Sequence, residues 1–173
     1  HSQPDRAIQQ CDVLMNQVQA LAESIRTTTS RLRPDLLDHL GLVPTLEWYI
    51  KDYRNRLPET NIEFQSTGLK KRLNSETEVV LYRVFQEGLN NIVKHSQASN
   101  VKIMLTYSHP DVIFTLKDDG IGFHLQEHFN PAESKMGIGL LSMKERVASL
   151  KGKISINSKP NFGTIIRVEL PVQ

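Results

Sequence analysis

The stretch "EGLNNIVKH", residues 87–95, closes what otherwise reads as an ordinary buried helix. Val80, Leu81, Val84 and Phe85 precede it, and Leu89, Ile92 and Val93 fall inside it. At about 100° per residue these apolar side chains gather on one broad face. Glu87, Asn91, Lys94 and His95 form a second stripe along the edge of that face, with the spacing i, i+4, i+8 for Glu87, Asn91 and His95. An amide oxygen and a carboxylate are hard oxygen donors suited to Mg²⁺, an ion that prefers few protein ligands and completes its shell with substrate phosphates. Lys94 would meet those phosphates as a point charge. Taken alone, the stripe reads equally as a polar helix edge with a satisfied histidine.

Three further motifs follow in order. "DDGIGF" puts Asp118, Gly120 and Gly122 directly after a strand-like run. Asp-Gly there is a hairpin signal, but "HLQEHFNPAESK" beyond it has no strand pattern to close a hairpin and reads as a mobile loop. A carboxylate at a strand end with glycines beside it can accept a hydrogen bond from an adenine amino group. "GIGLLSMKERV" sets Gly137 and Gly139 before an amphipathic helix carrying Leu140, Leu141, Met143, Val147 and Leu150. Glycines feeding a helix N-terminus leave backbone N–H groups and the helix dipole aimed at a nearby phosphate. "FGT" opens the last strand with Gly163 and Thr164, on its own a plain turn.

Around these motifs the chain organises simply. Its 173 residues are enough for one domain with an appended element, and a net charge of +2, dispersed along the sequence, does not point to nucleic acid. The one cysteine, Cys11, fits a reducing compartment. No apolar run reaches the roughly 20 residues of a membrane span and no signal peptide is evident, so a cytoplasmic chain is expected. Residues 4–33 lack glycine and carry a seven-residue rhythm of Cys11, Val18, Ile25 and Leu32 with Leu14 and Leu21, weakly continued by Thr28. That is the seam of a coiled coil or bundle, or else an amphipathic helix packed on its own domain. "RPDLLDHLGL" ends that helix near Pro34, and Gly41 marks a second break.

"PTLEWYIKDYRNRL" reads as a short helix, with Trp48 and Tyr49 expected to pack in the core or against the long helix. Strands are expected at 61–67, 101–108, 112–118, 153–158 and 163–171, and a helix capped by Asn74 or Ser75. The second part is thus a mixed layer with helices on one face of a largely antiparallel sheet. His124 and His128 lie four apart without a third ligand, which does not make a metal site.

The order of the motifs resembles the catalytic ATP-binding domain of sensor histidine kinases, within the gyrase/MutL-type ATPase superfamily. "EGLNNIVKH" resembles its N box, "DDGIGF" its G1 box, "GIGLLSMKERV" its G2 box and "GT" its final glycine–threonine element. "RLRPDLLDHLGL" with "GLLSMKERVASLKGKISINSKPNFGT" is similar to the nitrate/nitrite- and oxygen-sensor subfamily, which shares the short lid at about 123–136.

The resemblance implies an α+β two-layer sandwich of the Bergerat type over residues 41–173. Residues 1–40 would be the second helix of a dimerisation stem, its acceptor-histidine helix absent from this chain. It implies an ATP-dependent protein histidine kinase whose Mg²⁺ is held by Asn91, with Glu87 orienting or polarising the attacking group and Lys94 and His95 approaching the phosphate tail. Asp118 would bond the adenine amino group, with Thr164 helping through water. Gly120 and Gly122 would admit the nucleotide and hinge the lid, and Gly137 and Gly139, with Leu140, would complete the ATP site. The implied partners are a response-regulator receiver domain and a second copy through the stem. Autophosphorylation by this chain alone is expected to be weak or absent. His39, preceded by Asp38 and followed by Leu40, lacks the family's His-Asp acceptor pattern and is not expected to be the acceptor. The rival readings are ATP hydrolysis or serine phosphorylation on the same fold, or a degenerate nucleotide-sensing module.

Overall fold

The computed structural model describes residues 35–124 and 138–172. The heptad positions Cys11 to Leu32, most of the lid including His128, and Gly137 lie outside these residues. From Leu37 onward the described residues form one unit around one core.

A short helix, α1 (Asp35–Leu40), ends at Gly41, whose φ of +82° is open to glycine at little steric cost. Helix α2 (Leu42–Arg56) starts there, two residues before the sequence pattern places it. Pro44 is tolerated because a helix's first N–H groups have no partner within the helix anyway. Leu42, Leu46, Ile50 and Tyr53 recur at helical spacing on the buried side. Trp48 faces outward and is 54% exposed, packing edge-on to Tyr49 with ring centroids 5.0 Å apart. It therefore lies outside the core.

Strand β1 (Asn61–Thr67) leads to α3 (Ser75–Asn91), whose cap is Asn74: its side chain accepts from the Thr77 N–H at 2.8 Å. Glu76 and Glu78 in the first turn complement the dipole. The helix then departs from the sequence pattern. It runs on as one π-helical turn, Ile92–Ser96, and stops at Gln97 in a left-handed conformation.

Strands β2 (Asn100–Ser108) and β3 (Asp111–Asp118) form a hairpin. Helix α4 (Ile138–Ser149) precedes a second hairpin, β4 (Lys153–Ser158) with β5 (Thr164–Pro171). The sheet order is β1-β2-β3-β5-β4. Only β1 and β2 pair in parallel, because α3 carries the chain back between them. Alternation sends Val101, Ile103, Leu105, Val112, Phe114, Leu116, Ile166, Val168 and Leu170 to one face. There they join Leu46, Leu81, Val84, Phe85, Leu89, Met143 and Val147 from the helices, while Lys102, Lys117 and Arg167 lie exposed. This is the expected α+β layer, with helices on one face of a mostly antiparallel sheet.

Candidate nucleotide-binding site

A cavity of about 440 Å³ opens between α3, α4 and the ends of β3 and β5. Helix α3 contributes Glu87 and Asn91, and the π turn that continues it His95; β3 ends in Asp118, and the loop after it contributes Gly122 and Phe123; Leu140 of α4 and Thr164 of β5 complete the wall. Gly88, Leu116 and Ile166 give it an apolar lining.

The π turn decides which polar side chains of the helix reach this cavity. Its hydrogen bonds close one residue later than in an α-helix, so each residue advances less around the axis. His95 therefore stays in line with Glu87 and Asn91 at the cavity edge. Lys94 does not line the cavity: it is exposed beside a separate depression of about 100 Å³ with Leu57 and Thr60.

Parity along β3 separates the two aspartates. Val112, Phe114, Leu116 and Asp118 all point inward, and Asp118 is only 3% exposed. Its Oδ1 accepts two hydrogen bonds, from the Ser96 hydroxyl and from the Gly120 N–H, each at 2.9 Å. Among the described residues Oδ2 takes none, which leaves it as the acceptor for a ligand. Asp119 turns the other way and ties down the start of β2, accepting from the Ser99 and Asn100 N–H groups and from the Asn100 amide at 2.8–2.9 Å. These bonds, the Asn100 side chain's first among them, hold its carboxyl below the usual range.

The loop after Asp118 lies against the turn between β4 and β5. The Ile121 carbonyl accepts from the Asn161 N–H at 2.6 Å, and the Phe123 N–H donates to the Ser158 hydroxyl at 2.9 Å. Ser158 also contacts the Gly163 carbonyl at 3.1 Å and the Thr164 hydroxyl at 3.0 Å, facing Thr164 directly across the hairpin. Thr164 in turn faces Asp118 across β3 and β5.

Where α3 meets α4, the Glu87 carboxylate lies against the first turn of α4. A Cβ on Gly139 would sit 1.9 Å from its Oε1, so Gly139 is the residue that makes room for it. Gly120 does the same for Ser96, whose carbonyl would lie 2.1 Å from a Cβ there. Neither glycine lines the cavity itself, and Gly137 lies outside the described residues. Ser96 and Ser158 are absent from the motifs read as site residues. The register of the last hairpin was the one sequence signal for Ser158, since it pairs this residue with Thr164.

The cavity thus offers an apolar slot with acceptors at the Ser96 end, and a carboxylate, an amide and an imidazole along the helix. Among the described residues no three histidine, cysteine, aspartate or glutamate side chains cluster as a metal site. The oxygen donors present, Glu87 and Asn91, fit a hard cation that brings other ligands with it.

A family model described as histidine kinase-, DNA gyrase B-, and HSP90-like ATPase matches residues 76–173. The histidine-protein kinase/phosphatase DegS of Brevibacillus brevis is 34% identical over 97% of this chain and 42% of its own length. The oxygen sensor histidine kinase NreB of Staphylococcus carnosus is 32% identical over 88% of this chain and again 42% of its own. The chain thus spans less than half the length of these relatives. A histidine kinase domain from the Erythrobacter litoralis EL346 blue-light activated kinase shares the fold, with a TM-score of 0.61 at 19% identity over 76% of this chain and 61% of that one. A match that starts in the first turn of α3 and runs through β5 takes in the whole cavity, and the chain belongs to the histidine kinase-, DNA gyrase B- and HSP90-like ATPase family.

Proposed function

We propose that the cavity binds ATP with Mg²⁺ and that the chain is the kinase module of a two-component sensor. It passes the γ-phosphoryl group to a histidine of a dimerisation stem, to which residues 1 to about 40 contribute one helix, for relay to a response-regulator receiver domain. The observation that carries this reading is the placement of Asp118, buried with Oδ1 saturated and Oδ2 left over, in the same cavity as Glu87 and Asn91. One end of the cavity accepts a hydrogen bond from an amino group, as adenine requires. The other end carries oxygen donors for a metal–phosphate tail. Bound Mg²⁺ would neutralise charge on the phosphates, and Asn91 is the residue that would hold it. Glu87, one turn before Asn91, would orient the attacking imidazole, and His95 would meet the phosphates at the mouth. The leucine-rich heptads before Pro34 support the stem and a homodimer, and the composition supports a cytoplasmic setting.

Calorimetric titration of Mg·ATP and Mg·ADP into the wild type, Asn91→Asp and Asp118→Asn tests the site. Binding should disappear in Asp118→Asn and lose its magnesium dependence in Asn91→Asp. A wild type that binds neither nucleotide would make this a degenerate module. With γ-labelled ATP the chain alone should acquire little acid-labile label; stable label would reopen the case for His39.

A further inference from the structure

Two serines that the sequence motifs pass over control the hydrogen-bond direction at the base end of the cavity. Ser158 has one hydroxyl proton. Its oxygen accepts from the Phe123 N–H at 2.9 Å, and its proton has the Gly163 carbonyl as an acceptor at 3.1 Å. The Thr164 hydroxyl can donate or accept whereas a carbonyl can only accept, so both contacts are hydrogen bonds only if the Ser158 proton goes to the carbonyl. The 3.0 Å contact between Ser158 and Thr164 is then a bond donated by Thr164. With its own proton turned to Ser158, Thr164 presents lone pairs to the cavity it lines.

Across the sheet the same logic fixes Asp118. The Ser96 hydroxyl, buried at the end of the π turn, and the Gly120 N–H both donate to Oδ1. The carboxylate is held in one orientation, with Oδ2 remaining as an acceptor. Asp118 and Thr164 are direct register partners on β3 and β5, so the two acceptors stand side by side.

We infer that Ser158 and Ser96 are positioning residues that hold the Thr164 hydroxyl and Asp118 Oδ2 as acceptors toward the cavity, and so determine selection of a purine with an amino group at C6 over one with an oxo group there. The inference rests on the nucleotide reading above and extends it to base specificity. A 6-amino group brings two donor hydrogens to Asp118 and Thr164. A 6-oxo group brings lone pairs against lone pairs, and a buried polar group left unpaired is heavily penalised.

The test is calorimetric titration of ADP and IDP into the 173-residue chain, wild type, Ser158→Ala, Ser158→Thr and Ser96→Ala, with thermal melts alongside. The wild type should favour ADP. In Ser158→Ala the Thr164 hydroxyl is free to turn its proton into the cavity, and the ADP-over-IDP ratio should fall about tenfold. Ser158→Thr keeps the hydroxyl and should keep the ratio. Ser96→Ala, which removes one of the two donors on Oδ1, should lower the ratio independently, and it serves if Ser158→Ala does not fold. If both alanine variants weaken ADP and IDP by equal factors, the serines are merely structural and the inference falls. A wild type that binds neither nucleotide overturns the ATP-site reading itself; a wild type that binds both equally overturns only the specificity.

Discussion

At Gly120 a single missing side chain lets the loop after β3 lie against the end of the π turn. A Cβ there would sit 2.1 Å from the Ser96 carbonyl oxygen and 2.2 Å from its hydroxyl. The Ile121 N–H already binds that carbonyl at 2.8 Å, so the backbone cannot retreat without losing the bond. Gly120→Ala should therefore cost about 3 kcal/mol in urea unfolding and weaken ADP binding with it. Gly139 makes a useful contrast. Its notional Cβ strikes the carboxylate end of Glu87, the movable tip of a side chain rather than a backbone. Gly139→Ala should leave stability within about 1 kcal/mol of wild type, since alanine is also the better helix former. On the proposed kinase reading it should nevertheless slow phosphoryl transfer from γ-labelled ATP about a hundredfold in the full-length protein, as Glu87→Gln should, with ADP affinity little changed. Equal transfer rates in Glu87→Gln and wild type would remove Glu87 from the chemistry. Asp118 stood out in the sequence because it ends a strand-like run and glycines follow it. Ser96 and Ser158 did not, because their partners lie 22 and 6 residues away and only the sheet brings them together.

Among the elements, the strands and the cap of α3 followed from alternation and from Asn74, since both signals are local. The π turn did not. A pattern read at 3.6 residues per turn assumes one period throughout, and the change of period at Ile92 is what sends Lys94 away from the cavity. Helix α3 is held to α2 by a bond equally invisible in either segment alone: the Tyr53 hydroxyl donates to the Asn90 side-chain oxygen at 2.7 Å. Tyr53 is 5% exposed, and burial pushes its hydroxyl from the ordinary 10.0 up to about 12. The folded state therefore keeps a proton that the unfolded chain loses first. The stability that depends on this proton is fully present below pH 10 and is lost as pH rises toward 12. Tyr53→Phe should be less stable than wild type by about 1 kcal/mol at pH 7. The gap should close and then reverse in denaturant melts above pH 10, because phenylalanine has no proton to lose. A gap that stays constant from pH 7 to 11 would mean that Tyr53 does not titrate with unfolding.

For the molecule as a whole, the family match beginning at residue 76 understates the folding unit. Leu37, Leu42, Leu46, Ile50, Tyr53 and Ile62 belong to the same core as the matched residues, so α1, α2 and β1 are integral to it. What fastens that first segment is an ion pair that no local pattern predicts. Glu78, with a side chain 3% exposed, accepts from Arg72 at 3.0–3.2 Å through both oxygens. The same guanidinium donates to the carbonyls of Leu37 and Asp38 in the last turn of α1. These bonds satisfy helix-end carbonyls and a buried carboxylate at once, and the carboxylate holds the Arg72 guanidinium above its ordinary pKa. Removing the cation strands the anion, whereas removing both charges does not. Arg72→Ala should lower Tm by several degrees, and adding Glu78→Gln should restore part of the loss rather than add to it. Losses that simply add in the double variant would mean that Glu78 is satisfied without Arg72. The hold on α1 would then come from the apolar contacts of Leu37 and Leu42 alone.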